Sequence, residues 1–298
     1  MGKPDYDPNT FWDQRYETHG HTGYKDQLVY CYDQPLRLKA VNEALCNSGI
    51  FLNKFSQMLD LGCGVGDFID KFAKNNVKVT GIDISADVVK KCHERFRDFP
   101  NVTVCNSKIE EMDFPNDSFD VVISVTVLQH IVDSYAFSKA IRNVVRVTKI
   151  GGHILVFELS PIKIKPNEMT PEYISLKTRG EWINAFTQNG CSLIHELCMS
   201  QIGVRALSSY DKALGSFFVK KNKGLKNSLN VNAQTVAEHK KQTLPNRMNY
   251  FVRRIILAVL KPLDLLFLRV PFPRNRTNLR ILVFKKDAMP RSMPAFDI

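Results

Sequence analysis

A short apolar run, Gln57–Leu61, leads into three glycines in LDLGCGVGDF (Leu59–Phe68), and a helical pattern starts at Asp67. This strand–turn–helix through Gly62, Gly64 and Gly66 constrains the fold more than any other feature of the chain. Glycine suits such a turn because the bend is tight and a ligand must reach bare main chain. The helix that follows presents free N–H groups to whatever binds. Glycine turns of this kind occur in nucleotide-binding folds generally, so spacing and charge must narrow the reading. The spacing is GxGxG, and Asp60 and Asp67 flank it. Two carboxylates repel a pyrophosphate and favour a cationic ligand. Asp83 ends the next apolar run, 17 positions beyond Gly66, where an acid can hold both hydroxyls of a ribose.

Further strands are expected at Val77–Ser85, NVTVCN, FDVVISV and GGHILVFEL, separated by helical stretches over Asp67–Asn75, Ala86–Asp98 and about Tyr135–Thr148. Nearly all-apolar strands alternating with such helices imply an α/β fold with a parallel sheet covered on both faces. EWINAFTQNG reads as a helix closing near Gly190, CSLIHEL as a strand, and LRILVFKK (Leu279–Lys286) as a last strand. The expected division is a helical N-terminal cap over 1–50, a core over 51–204, a basic insertion or lid over 205–277, and a last core strand with tail over 278–298. Within the insertion, FFVKKNKGLKNSLNVNAQ reads as loop. The stretch from Asn249 to Leu268 reads as an apolar helix kinked or split at Pro262.

The formal net charge is +11, with lysine and arginine dense in the C-terminal third. Such a surplus is compatible with nucleic acid, anionic membrane, an acidic small molecule, or a solvated surface. Seven cysteines without a CxxC pair fit a reducing compartment and no zinc site. The start, MGKPDYDPNT, is too polar for a secretory signal, and Ile255–Leu268 is too short and interrupted to span a bilayer. A cytoplasmic location, with no metal, is the expectation.

LDLGCGVGDF followed by GIDIS resembles the first two motifs of the class I S-adenosylmethionine-dependent methyltransferases, and EEMDFPNDSFDVVISVTVLQHI resembles their third and fourth motif region. The likeness covers about 55–160 closely and the remainder of the core loosely. It implies a Rossmann-like, mostly parallel seven-stranded sheet and S-adenosylmethionine as cofactor, whose ammonium and sulfonium suit the acidic turn. By position, Asp60, Gly62 and Gly64 would face the methionine moiety, and Asp83 the ribose, with Ile84 beside the adenine. Lys108, Ile109 and Glu110 would edge the adenine, and Val125 and Thr126 would line the donor pocket. Many relatives carry Asp where this chain has Lys108, and lysine cannot accept from the adenine amino group. FWDQRY resembles a segment that closes over the donor. Trp12 or Tyr16 would pack against it and Arg15 would pair with its carboxylate, the alternative being a helix that packs its aromatics on the core.

His130 stands where an acceptor should meet the methyl group and is a candidate general base, with alignment of donor and acceptor alone as the alternative. Gln129, Glu158 and Lys163 are candidates for the acceptor side. HGH at 19–21 reads as a mobile loop. The leading function is methyl transfer to an oxygen or nitrogen of a small-molecule or glycan-like acceptor in biosynthesis. An RNA (tRNA) methyltransferase and a catalytically idle binding module are the alternatives. The helix over 249–268 is compatible with a packed lid, with peripheral membrane contact, or with an anionic acceptor; no sequence signature favours nucleic acid.

Overall fold

A computed structural model describes residues 6–165, 170–213, 246–268 and 278–288. Its centre is a seven-stranded sheet: β1 Gln57–Leu61, β2 Lys78–Asp83, β3 Val102–Asn106, β4 Phe119–Val125, β5 Thr148–Leu159, β6 Cys191–Cys198 and β7 Leu279–Lys286. The order across the sheet is β3-β2-β1-β4-β5-β7-β6. Pairing is parallel from β3 through β5, whereas β7 runs antiparallel to both β5 and β6. The expected Rossmann-like sheet is therefore present, with β5 starting three residues earlier than its glycine pair suggested.

The helices are α1 Pro8–His19, α2 Gln27–Asn47, α3 Asp67–Ala73, α4 Ala86–Arg95, α5 Ser134–Val147 and α6 Arg179–Thr187, then α7 (202–213) and α8 Asn246–Leu266. Strand alternation sorts the core into two layers. Met58, Val79, Val121, Ile123, Leu155 and Phe157 face α2, α3 and α4. Leu59, Leu61, Ile82, Val122, Ile154 and Val156 face α5 and α6. Burying each such side chain contributes about 1.5–3 kcal/mol. α2 belongs to the first layer, since its Leu36, Ala40, Val41 and Ala44 are buried against the sheet.

α1 buries no side chain. It is held by its ends: Asp7 accepts from the amides of Asn9 and Thr10, Pro8 opens the first turn, and Gly20 closes the helix at φ +72°. α8 does not break at Pro262 as the sequence suggested. Pro262 and the residue one turn before it, Ala258, both lie on the exposed side, where solvent can serve the carbonyl that proline leaves unpaired. The loop-like first half of the expected insertion, 217–234, lies outside the described residues.

Candidate active site

The strand order reverses between β1 and β4, and the crevice above the carboxyl ends of the strands there is where open α/β sheets place ligands. A cavity of about 570 Å³ occupies it. The sheet supplies Asp60, Asp83 and Val125, the glycine turn Gly62, Gly64 and Asp67, and α1 covers the opening with Trp12 and Arg15.

Gly62, Gly64 and Gly66 all have left-handed backbones, at φ +61°, +53° and +84°. At Gly62 the reason is steric as well as conformational. A Cβ there would fall 2.5 Å from a Val127 methyl, so the turn and the loop after β4 touch backbone to side chain. Asp83 locks the turn from below: its Oδ2 accepts from the Gly64 amide at 2.9 Å and its Oδ1 from the Ser85 amide at 3.0 Å. Each oxygen keeps a lone pair for a ligand hydroxyl. Burial pushes the Asp83 carboxyl up, against those two amide bonds.

Asp60 is different. It is buried, and its Oδ2 has no hydrogen-bond partner. Burial, then the charges of Asp83 and Asp67, hold its carboxyl well above the usual carboxylate range. Asp67, by contrast, accepts from the Tyr30 hydroxyl at 2.6 Å and from Arg95. Arg15 gives Nε and Nη2 to the carbonyls of Thr22 and Gly23, but its buried Nη1 has no partner. One carboxyl and one guanidinium, each with an orphaned buried atom, thus line the same cavity. An amino-acid zwitterion has the complementary charges.

Ile84, Lys108, Ile109 and Glu110 line the far end, where Lys108 lies 3.5 Å from Glu111. Asn106 Nδ2 donates to the carbonyls of Asp83 and Ile84 and so fixes the β2–β3 edge. Thr126 holds φ +57°, a strained conformation for a β-branched residue. Its amide donates to the Phe157 carbonyl at 2.8 Å, and Arg37 Nη1 donates to its hydroxyl at 3.0 Å.

His130 and Gln129 also line the cavity. His130 Nδ1 lies 2.7 Å from the Tyr173 carbonyl, and a carbonyl only accepts, so this nitrogen carries the proton and Nε2 the lone pair. Trp12 meets the imidazole edge-on at 4.8 Å. Burial holds the ring down at about pKa 4, so it is neutral at pH 7 and a poor proton store. Gln129 accepts from the Leu159 amide at 3.0 Å, which fixes it to β5.

Two acceptor-side expectations are corrected. Glu158 does not face a loop edge. It is fully buried beneath the post-β4 loop, where Oε1 accepts from Ser124 Oγ and the amides of Val127 and Leu128 at 2.8–3.0 Å. Lys163 is exposed and lies outside the cavity lining. The HGH segment is also ordered: His21 is buried, stacks on Tyr30 at 3.7 Å and bonds Gln27. Sequence reasoning missed Tyr24, Gln34, Arg37 and Gln201, which also line the cavity. Arg37 pairs with Asp33 and reaches Tyr24, whose hydroxyl also accepts from Gln201 at 3.0 Å. The signal was an Asp and an Arg four apart on the same face as Leu36 and Ala40, where charge belongs only with a purpose.

Residues 58–152 match the family described as "Methyltransferase domain". Over these residues the chain is similar to methyltransferase domains. Curated relatives of this methyltransferase domain include the ubiquinone/menaquinone biosynthesis C-methyltransferase UbiE of Proteus mirabilis, 34% identical over 125 residues, 40% of this chain and 48% of that protein. The ubiquinone biosynthesis O-methyltransferase of Bradyrhizobium sp. strain ORS 278 is 33% identical over 134 residues, 42% and 51% respectively. The chain spans about half the length of these relatives. A solved phosphoethanolamine N-methyltransferase 2 of Haemonchus contortus, in complex with S-adenosyl-L-methionine, superposes with a TM-score of 0.52 at 20% identity, over 84% of this chain and 52% of that one. At that identity the likeness is one of fold.

Proposed function

We propose that the chain transfers a methyl group from S-adenosylmethionine to an oxygen or nitrogen of a small-molecule acceptor. The observation that carries the reading is the pair of orphaned buried atoms, Asp60 Oδ2 and Arg15 Nη1, lining one cavity beneath a glycine turn. The residues fit the cofactor. Asp60 would face its cationic end, Arg15 its carboxylate, Asp83 the ribose hydroxyls, and Ile84 with Lys108, Ile109 and Glu110 the adenine, while Val125 and Thr126 would flank the methionine.

When bound, the sulfonium supplies an electrophilic methyl, and its carbon–sulfur bond breaks as the acceptor's lone pair forms the new bond. The chain's own part is alignment and exclusion of water. Trp12, Tyr24 and Tyr173 give the acceptor side aromatic walls suited to a flat molecule. The neutral Nε2 of His130 would accept a hydrogen bond from an acceptor hydroxyl and orient it. A ring held at about pKa 4 stores a proton poorly, which favours orientation over general-base chemistry. Residues 51–204 with 278–298 would then carry the donor, and 1–50 with 205–277 would shape the acceptor side, through Tyr24, Gln34, Arg37 and Gln201.

Small-molecule acceptors are favoured over RNA because two curated relatives are named for quinone biosynthesis and the cavity is an aromatic recess. The test is calorimetry with S-adenosylmethionine. Binding in the micromolar range, weakened at least about ten-fold by Asp60→Asn and by Asp83→Ala, is expected. Binding left intact by both variants would remove the pocket assignment, and no binding at millimolar donor would favour an idle module.

A further inference from the structure

α8 is docked firmly on the body, yet it turns an apolar face outward. On its inner side Asp264 is buried and accepts from the Tyr32 hydroxyl at 2.7 Å, Ser200 Oγ at 2.8 Å, and the amides of Ile202 and Gly203 at 2.8 and 2.9 Å. Leu257 and Leu268 are buried on the same side, and Arg253 pairs with Asp26 and Asp211. At 100° per residue, the outward side chains Phe251, Ile255, Val259, Leu263 and Leu266 fall within an arc of about 120°, centred opposite Leu257, Asp264 and Leu268. Phe251 is 63% exposed and Val259 66%. Five large apolar side chains along four turns of a described surface helix form a patch that water penalises.

Charge says what covers it. Residues 205–277 hold fifteen Lys and Arg against three Asp and Glu, a net of +12. The rest of the chain, with twenty-six basic and twenty-seven acidic residues, is near neutral. The entire surplus therefore lies in the segment that contains α8, and on the helix itself Arg254 is exposed about 60° beyond the Phe251 edge of the apolar arc, within reach of headgroups beside it. Two copies of the chain would each carry +12 in this segment, which opposes self-association. A nucleic acid would suit the charge but not the apolar arc. No described helix is long and apolar enough to cross a membrane.

We propose that the outward face of α8 docks on an anionic lipid surface, its apolar arc at the level of the acyl chains, with Arg254 and the net +12 of residues 205–277 drawing it to the headgroups. The docked helix lies one contact from the cavity, because Asp264 fixes the segment 200–203 whose Gln201 lines it.

The test is co-sedimentation of the full chain with phosphatidylcholine vesicles, with and without about 30% phosphatidylglycerol. Expected is binding to the anionic vesicles that falls with added salt. Expected also is at least a ten-fold loss of partitioning for Ile255→Glu/Val259→Glu, and none for Phe55→Glu, an exposed phenylalanine elsewhere on the surface. A second variant, Arg254→Glu/Lys261→Glu, should weaken binding without touching the apolar arc. Calorimetry with S-adenosylmethionine on the same variants reads the fold and the cofactor site separately, and should be unchanged. No sedimentation with anionic vesicles, or equal sedimentation of Ile255→Glu/Val259→Glu, would overturn the proposal. So would a dimer, or an RNA complex, lost in that variant while vesicles are ignored.

Discussion

Asp60 shows how one residue links pocket and solution behaviour. In the free protein its carboxyl is raised, first by burial and then by Asp83 and Asp67. A cationic ligand beside it lowers that value, so ligand binding expels a proton, and affinity should rise with pH through the range where free Asp60 titrates. Calorimetry in two buffers of different ionisation heat measures the released proton directly; Asp60→Asn should release none. Gly62 makes the steric counterpart. Its φ of +61° and the 2.5 Å approach of Val127 predict that Gly62→Ala costs about 2–4 kcal/mol. Val127→Ala in the same chain should return the part due to the clash, and denaturant unfolding of the double variant separates that part from backbone strain.

At the scale of elements, Glu158 ties β5 to the loop after β4 through three donors to one oxygen. Burial raises it to about 7, despite those bonds. The folded state therefore holds a proton that the unfolded chain gives up at the ordinary glutamate value. This contribution is present in full below that value and is lost as pH rises through about 7, at roughly 1.4 kcal/mol per unit of difference. Glu158→Gln should flatten stability against pH between 4.5 and 7 in thermal melts. Glu158→Ala should cost about 2–4 kcal/mol, because it leaves three buried donors unpaired. Much at this scale was legible in the chain: β1, β4 and β7 begin and end where their apolar runs do. The missteps had physical causes. Glu158 reads as a charged loop border because pattern alone does not show that its side chain turns under the strand end, and Pro262 reads as a break because solvent access is not visible in sequence.

For the whole molecule, the cavity exists because β1 sends its connections one way and β4 the other, so that α1 and α2 can roof the gap left between. A ligand bound across that gap joins the N-terminal helices to the sheet and should stabilise the fold as a unit. S-adenosylmethionine at about 100 times its dissociation constant should add about 2.7 kcal/mol. A single thermal transition moving up by several degrees is the expected readout; an unmoved transition would show that donor and fold are uncoupled. The segregation of charge operates at this scale too, since a chain whose surplus of +12 lies within residues 205–277 and whose remainder is near neutral is drawn to an anionic surface through that segment.

The sequence by itself determined the sheet, the glycine turn and the acids around it, because local spacing and burial periodicity encode them: Asp60, Gly62, Gly64 and Asp83 are adjacent through a single strand–turn–helix and the strand beside it. Even Trp12, Arg15 and His130, distant in the chain, were legible as neighbours of that turn through the resemblance of their segments. Only the tertiary structure decided which charges stay unpaired and which are consumed. Asp67 is taken by Tyr30 and Arg95 and one oxygen of Glu158 by buried amides, while Asp60 Oδ2 and the other Glu158 oxygen keep no partner among the described residues. It alone brought Tyr24, Arg37 and Gln201 to the cavity lining. Those outcomes depend on long-range packing of α2 and the segment after β6 against the sheet, where partners separated by dozens of residues meet and no local pattern records the meeting.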